Sequence, residues 1–210
     1  MTGRGQAEIS SRKRPQQARS TGLVAAILEA AAQVLAAEGA PRFTTARVAE
    51  RAGVSVGSLY QYFPNKAAIL FRLQSDEWRR TSDLLRGILE NADRPPLERL
   101  RALVHAFIRS ECEEAAMRVA LKDAAPLYRD APEAGEARAS GERTMQLFMG
   151  EALPEAAQST RAQAASLIAT TLSQVGKRFS ESPRSPAAIE AYADAMADMF
   201  CAYLKGLANG

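Results

Sequence analysis

Tyr60, Gln61 and Tyr62 stand in a row just after three small residues, Val56, Gly57 and Ser58. Small residues followed by two phenols and an amide are what a chain needs to lay a helix end into a DNA groove. Small residues ahead of them let a backbone approach a flat polar surface closely. Thr45, Arg47 and Lys66 add a hydroxyl and two cations to the same stretch. This set suits gripping and reading a nucleic acid; none of its members is a candidate nucleophile or acid–base pair.

Such groups need short, well-capped helices to carry them. Thr44 or Thr45 can cap a helix whose Val48, Ala49 and Ala52 face inward. Gly53 stops that helix and tolerates a positive φ. Val54 then plugs the angle between two helices. Ser55 caps the next helix, and Leu59 and Phe63, four apart, form its buried side. Pro64 is expected to end this helix after about two turns, and Asn65 to cap the following one. Tyr60 and Tyr62 differ by about 200° around a helix, so at least one points away from the core. Gly57 costs roughly 1 kcal/mol against Ala inside a helix. Close approach to DNA explains it, and so does packing against a neighbouring helix. The pattern is a helix-turn-helix whose second helix enters a groove.

The surrounding chain reads as helix throughout. Val24, Ile27, Leu28, Ala31 and Leu35 share one helical face, ended by Gly39. Further helical stripes follow Asn65 and Pro96, run from about Ala134 to Leu153, from about Glu155 to Phe179, and beyond Pro186. Sheet-forming residues are sparse, so the fold class is all-α. Charge is unevenly placed: residues 1–80 carry 12 Lys and Arg against 6 Asp and Glu, within a net charge of +3. A basic head on an acidic body suits an anionic polymer bound at one end. Residues 1–18 are polar and basic, either a frayed terminus or an arm reaching phosphates or a minor groove.

Other chemistries find little support. The chain has 1 His and 2 Cys. Cys112 and Cys201 lie far apart and no metal spacing accompanies them. No phosphate loop or nucleophile motif is present, so neither an enzyme nor a cofactor nor a metal site is expected. No apolar run of about 18 residues and no secretory signal are found. The expected setting is a reducing cytoplasm.

The block Phe43-Thr44-Thr45, Val48-Ala49, Ala52-Gly53-Val54-Ser55, Gly57-Ser58-Leu59-Tyr60, Tyr62-Phe63 and Asn65-Lys66 closely resembles the DNA-binding region of the tetracycline-repressor (TetR) family of bacterial regulators. Many members have His where this chain has Tyr62. The resemblance implies a DNA-binding helix-turn-helix domain at 19–66 and a larger helical domain at 67–210 that binds a small ligand and dimerises. It implies that Thr45, Tyr60, Tyr62 and Lys66 hold phosphates of double-stranded DNA, and that Val56, Gly57 and Gln61 face bases, with Ser58 beside them. Arg47 either reaches the backbone or stays solvated.

For the body, Met and aromatic side chains adapt to varied apolar ligands. Candidate pocket residues are Trp78, His105, Ile108, Cys112 and Met117, with Tyr128, Met145, Phe148, Met149 and Gln174 further along. For each of them ordinary core packing is the competing reading. The last two helices mix small and large apolar residues, as a four-helix bundle from two subunits requires. Their dimer candidates are Leu167, Ile168, Leu172, Val175 and Phe179, then Tyr192, Met196, Met199, Phe200 and Tyr203. The function expected is a ligand-responsive repressor that binds a palindromic operator as a homodimer. The alternative is a ligand-independent regulator or activator whose body only dimerises.

Overall fold

The computed structural model describes residues 18–113, 115 and 132–209, and the regular elements among them are helices. They are α1 (Ala18–Arg42), α2 (Thr45–Arg51), α3 (Val56–Tyr60), α4 (Lys66–Leu89), α5 (Pro96–Glu113), α6 (Pro132–Ala152), α7 (Gln158–Ser180) and α8 (Pro186–Ala208). The all-α class is therefore observed. The chain divides into two compact units, with boundaries within α4 between Glu77 and Trp78 and again between Ala134 and Gly135. The basic arm before residue 18, and Met117 and Tyr128, lie outside the described residues.

In the first unit α1 supplies Val24, Ile27, Ala31 and Leu35, which pack with Phe43, Val48, Leu59, Phe63 and Ile69. Burying each large apolar side chain stabilises by about 1.5–3 kcal/mol. Over Thr21–Arg42, α1 is long and apolar enough to cross a membrane. Its apolar face is instead used in this core, the other role that such a composition serves. The helix breaks at Gly39, whose φ of 73° and ψ of 169° are not helical. That break falls where the sequence places the end of the first helix.

In the second unit Leu100, Val104 and Ile108 of α5 meet Phe148 and Met149 of α6, Ile168 and Leu172 of α7, and Phe200 and Leu204 of α8. Gly176 lets α7 approach α5: a Cβ there would lie 2.9 Å from Phe107 Cε1 and 3.2 Å from Ile108 Cδ1. Arg99 is only 3% exposed. It donates to the Leu89 carbonyl and to Glu151 Oε2, each at 2.5 Å, so one guanidinium ties the end of α4 to α6. Ser185 caps α8 by accepting from Ala188 N at 3.2 Å, and Pro186 opens the helix where no N–H is needed.

A polar seam joins α5 to α8. Arg101 pairs with Asp198 and, at 3.6 Å, with Asp194. Arg109 donates to Glu190 Oε1 at 2.7 Å. His105 lies between them, its Nδ1 3.1 Å from Glu190 Oε2 and its Nε2 3.1 Å from Asp194 Oδ1. Arg109 first, then His105, holds the Glu190 carboxyl below the usual carboxylate range.

Candidate nucleic-acid interface

Two short helices and one turn build the site. Thr44, in an extended conformation, accepts from Arg47 N at 3.3 Å and so caps α2. Gly53 has a φ of 67°, the left-handed turn that Gly adopts without strain. Val54 N then donates to the Ala49 carbonyl at 2.9 Å, and Val54 packs on the core. Ser55 caps α3 by accepting from Ser58 N at 3.0 Å. These caps satisfy backbone N–H groups that a helix start otherwise leaves unpaired.

α3 is shorter than the sequence suggests. It ends at Tyr60, not near Pro64. Past that point Tyr62 N and Phe63 N both donate to the Leu59 carbonyl at 3.0 Å, and the chain leaves the helix as a turn. Pro64 disfavours helical geometry at Phe63, so the turn does not resume as helix there. Gln61 therefore lies in a turn, exposed, just beyond the helix end.

Leu59 and Phe63 are buried, as their spacing requires. On the opposite side Val56 is 38% exposed and Tyr60 41% exposed. Gly57 is also exposed, and a Cβ there would meet nothing nearer than Ser55 Oγ at 3.7 Å. Packing within the chain thus does not require Gly at this position. The two tyrosines part company: Tyr62 is 9% exposed and belongs to the core. The resemblance had given both a hydroxyl grip on phosphate; burial of the Tyr62 ring makes it first a packing residue.

The remaining polar groups are paired in ways that spacing alone does not reveal. Thr45 Oγ1 and the Tyr60 hydroxyl are 3.1 Å apart, so α2 and α3 bring two hydroxyls to one spot. Ser58 Oγ is 2.8 Å from Ser55 Oγ. Arg47 forms an ion pair with Glu38 of α1, and Arg51 Nε donates to Gln33 Oε1 at 2.7 Å. Lys66 is exposed at the first position of α4, where Asn65 Oδ1 accepts from Ala68 N at 2.9 Å. Two paired hydroxyls and an exposed cation thus lie near the outward face of α3, groups of the kind that can take phosphate.

A model of bacterial regulatory proteins of the tetR family matches residues 27–73, and a model of the tetracyclin repressor-like C-terminal domain matches residues 95–207. The chain belongs to the TetR family. A nucleoid occlusion factor, SlmA, from Vibrio campbellii is 37% identical over 83 residues. That match covers 39% of this chain and 42% of the relative's length. The fatty acid degradation regulator FadR from Bacillus halodurans shares the fold with a TM-score of 0.66 at 19% identity, over 90% of this chain and 97% of that one. A TetR-family transcriptional regulator from Mesorhizobium loti does so with a TM-score of 0.65 at 20% identity, over 89% and 98%. TetR-family proteins are DNA-binding transcription regulators, and the helix-turn-helix lies within the matched residues 27–73.

The body residues fall into distinct groups. Of the pocket candidates, Ile108, Met145, Phe148 and Met149 are buried in the core of the second unit. Trp78 and Cys112 are half-buried, and Gln174 is exposed. Burial pushes the Cys112 thiol up from its ordinary range. His105 is engaged with the α8 carboxylates rather than grouped with the other candidates. Phe148 also lines a shallow groove of about 330 Å³ with Leu89, Glu90, Thr144, Leu147, Gly150 and Glu151. Of the dimer candidates, Ile168, Leu172, Met196 and Phe200 are buried within their own chain. Phe179 stacks on Tyr192 with ring centroids 3.9 Å apart, while Val175 and Tyr203 are half-buried. Leu167 and Met199, 50% and 51% exposed, are the two that face outward.

Proposed function

We propose that this regulator is a homodimeric repressor that grips a near-palindromic operator with two copies of α3 and is released by a small molecule. The observation that carries the DNA-reading part is the outward face Val56, Gly57, Tyr60 and Gln61 set on a buried Leu59–Phe63 side. In this reading Val56, Gly57 and Gln61 lie against base edges, with Ser58 alongside. Thr45 and Tyr60 donate to phosphate, Lys66 adds a charge, and Tyr62 props the helix from within. One five-residue helix contacts few bases, so two on a two-fold axis are needed for selective binding. The exposed Leu167 and Met199 support α7 and α8 as the joining surface. Release follows if the small molecule binds better to a dimer whose two α3 helices no longer match the half-site spacing. An operator on the chromosome places the protein in the cytoplasm.

A second reading keeps the DNA contacts and the dimer but gives the body no ligand. The burial of Ile108, Met145, Phe148 and Met149 in the core favours it to that extent. Gel shifts on the protein's own upstream region test the shared part. Tyr60→Ala and Lys66→Ala are expected to weaken binding while the dimer persists. Unchanged affinity in both variants would overturn the residue roles. A screen of small molecules for loss of the shifted band separates the two readings.

A further inference from the structure

We propose that Glu38 is an internal competitor for DNA phosphate, holding Arg47 in an ion pair that must open when DNA binds. The inference rests on the DNA-binding reading above and names a residue that sets its strength. Arg47 lies in the first turn of α2, two residues after Thr45, whose hydroxyl meets that of Tyr60. Its guanidinium reaches back to the Glu38 carboxylate of α1, with the side chains 46% and 31% exposed. Glu38 precedes the non-helical Gly39, at the end of the regular part of α1. A carboxylate there faces the negative end of a helix dipole, so a cation beside it is favoured. Carboxylate and phosphate take the guanidinium in the same forked manner, so the two compete directly for one partner. Arg51, one turn further along, donates instead to the neutral Gln33 amide oxygen at 2.7 Å.

The exchange is small and measurable. An exposed ion pair resists opening by a factor of about two to five. Phosphate contacts are independent of sequence, so a labelled random-sequence duplex reads them without knowledge of the operator. Anisotropy titrations across a salt series compare the full-length protein with Glu38→Gln, Arg47→Ala and the double variant. Glu38→Gln is expected to bind about two- to five-fold tighter, with the log–log salt slope kept, because Arg47 reaches phosphate in both proteins, whereas Arg47→Ala lowers that slope by up to about 0.9, one phosphate contact. Arg47→Ala is expected to bind more weakly, and Glu38→Gln to give no gain in its background. Two results overturn the proposal: unchanged affinity in Glu38→Gln, or an equal gain with and without Arg47. The second would mean that removing any negative charge near DNA suffices. Loss of binding by the unaltered protein to both random and upstream DNA would remove the DNA-binding reading together with this one, whereas a neutral Glu38→Gln removes this one alone.

Discussion

Gly57 is the residue at which stability and DNA binding separate most cleanly. It is the second residue of a five-residue helix, and a Cβ there has open space except for Ser55 Oγ at 3.7 Å. Gly57→Ala is therefore expected to leave thermal stability unchanged or raise it by up to about 1 kcal/mol, because Gly is the poorer helix former. In the proposed DNA-bound arrangement the same methyl group would come between backbone and base edges, and it should weaken operator binding by about 1–3 kcal/mol, the usual cost of an inserted methyl group at a packed contact. Calorimetry and gel shifts on one preparation check both signs; a variant that binds normally would show that α3 does not approach DNA at Gly57. Spacing alone carried the sequence reading far here: Leu59 and Phe63 had to be inside, and at least one tyrosine outside. Which tyrosine stayed out was not legible, because a 200° separation does not say where the core lies. The pairs Thr45–Tyr60 and Arg47–Glu38 were not legible either, since each joins two helices whose packing spacing does not specify.

Helix ends were readable where a cap or a Pro marks them, as at Thr44, Ser55, Asn65, Pro96 and Pro186. The early end of α3 was not, because two N–H groups share the Leu59 carbonyl after the helix has closed. Helix packing gives glycines opposite roles. Gly176→Val is expected to cost about 1–3 kcal/mol or more, since the added carbons meet Phe107 and Ile108. Gly87→Ala, within α4 and facing open space, should instead stabilise by about 0.5–1 kcal/mol. Urea midpoints of the two variants moving in the same direction would contradict the close α5–α7 approach. The α5–α8 seam makes a pH prediction. Glu190 titrates lower in the folded chain than when unfolded, so its contribution is fully present above the ordinary carboxylate range and is lost as pH falls from that range through the lowered folded value. The melting temperature should therefore drop on acidification, and Glu190→Gln should flatten part of that fall. An acid limb of the same steepness in Glu190→Gln would show that this seam does not contribute to it. His105 illustrates why the seam escaped the sequence reading: its carboxylate partners lie 85 and 89 residues away.

At the scale of the whole molecule, the apolar periodicity of α7 and α8 identified helices able to pack but not which side each one spends on its own core. Ile168, Leu172, Met196 and Phe200 are used inside the chain, so they cannot also form the main contact with a second copy. The outward set is Leu167 on α7 and Met199 on α8, the latter in line with exposed Ala191, Ala195 and Ala202 at spacings of one helical turn. Small residues around one large one let two helices approach closely, and a charge placed at the large one is desolvated without a partner. Leu167→Glu combined with Met199→Glu should therefore give a monomer by light scattering, with helicity nearly unchanged because neither side chain belongs to the core, and with a melting temperature lowered only by the lost contribution of association. Operator affinity should then fall by about a hundredfold, since the second α3 loses the effective concentration that the dimer gave it. Binding to random DNA, which depends on phosphate contacts made by each subunit, should fall much less. A double variant that remains dimeric would place the interface elsewhere. One that becomes monomeric yet binds the operator at full strength would show that a single reading head suffices, and the palindrome would then have no physical basis in this protein.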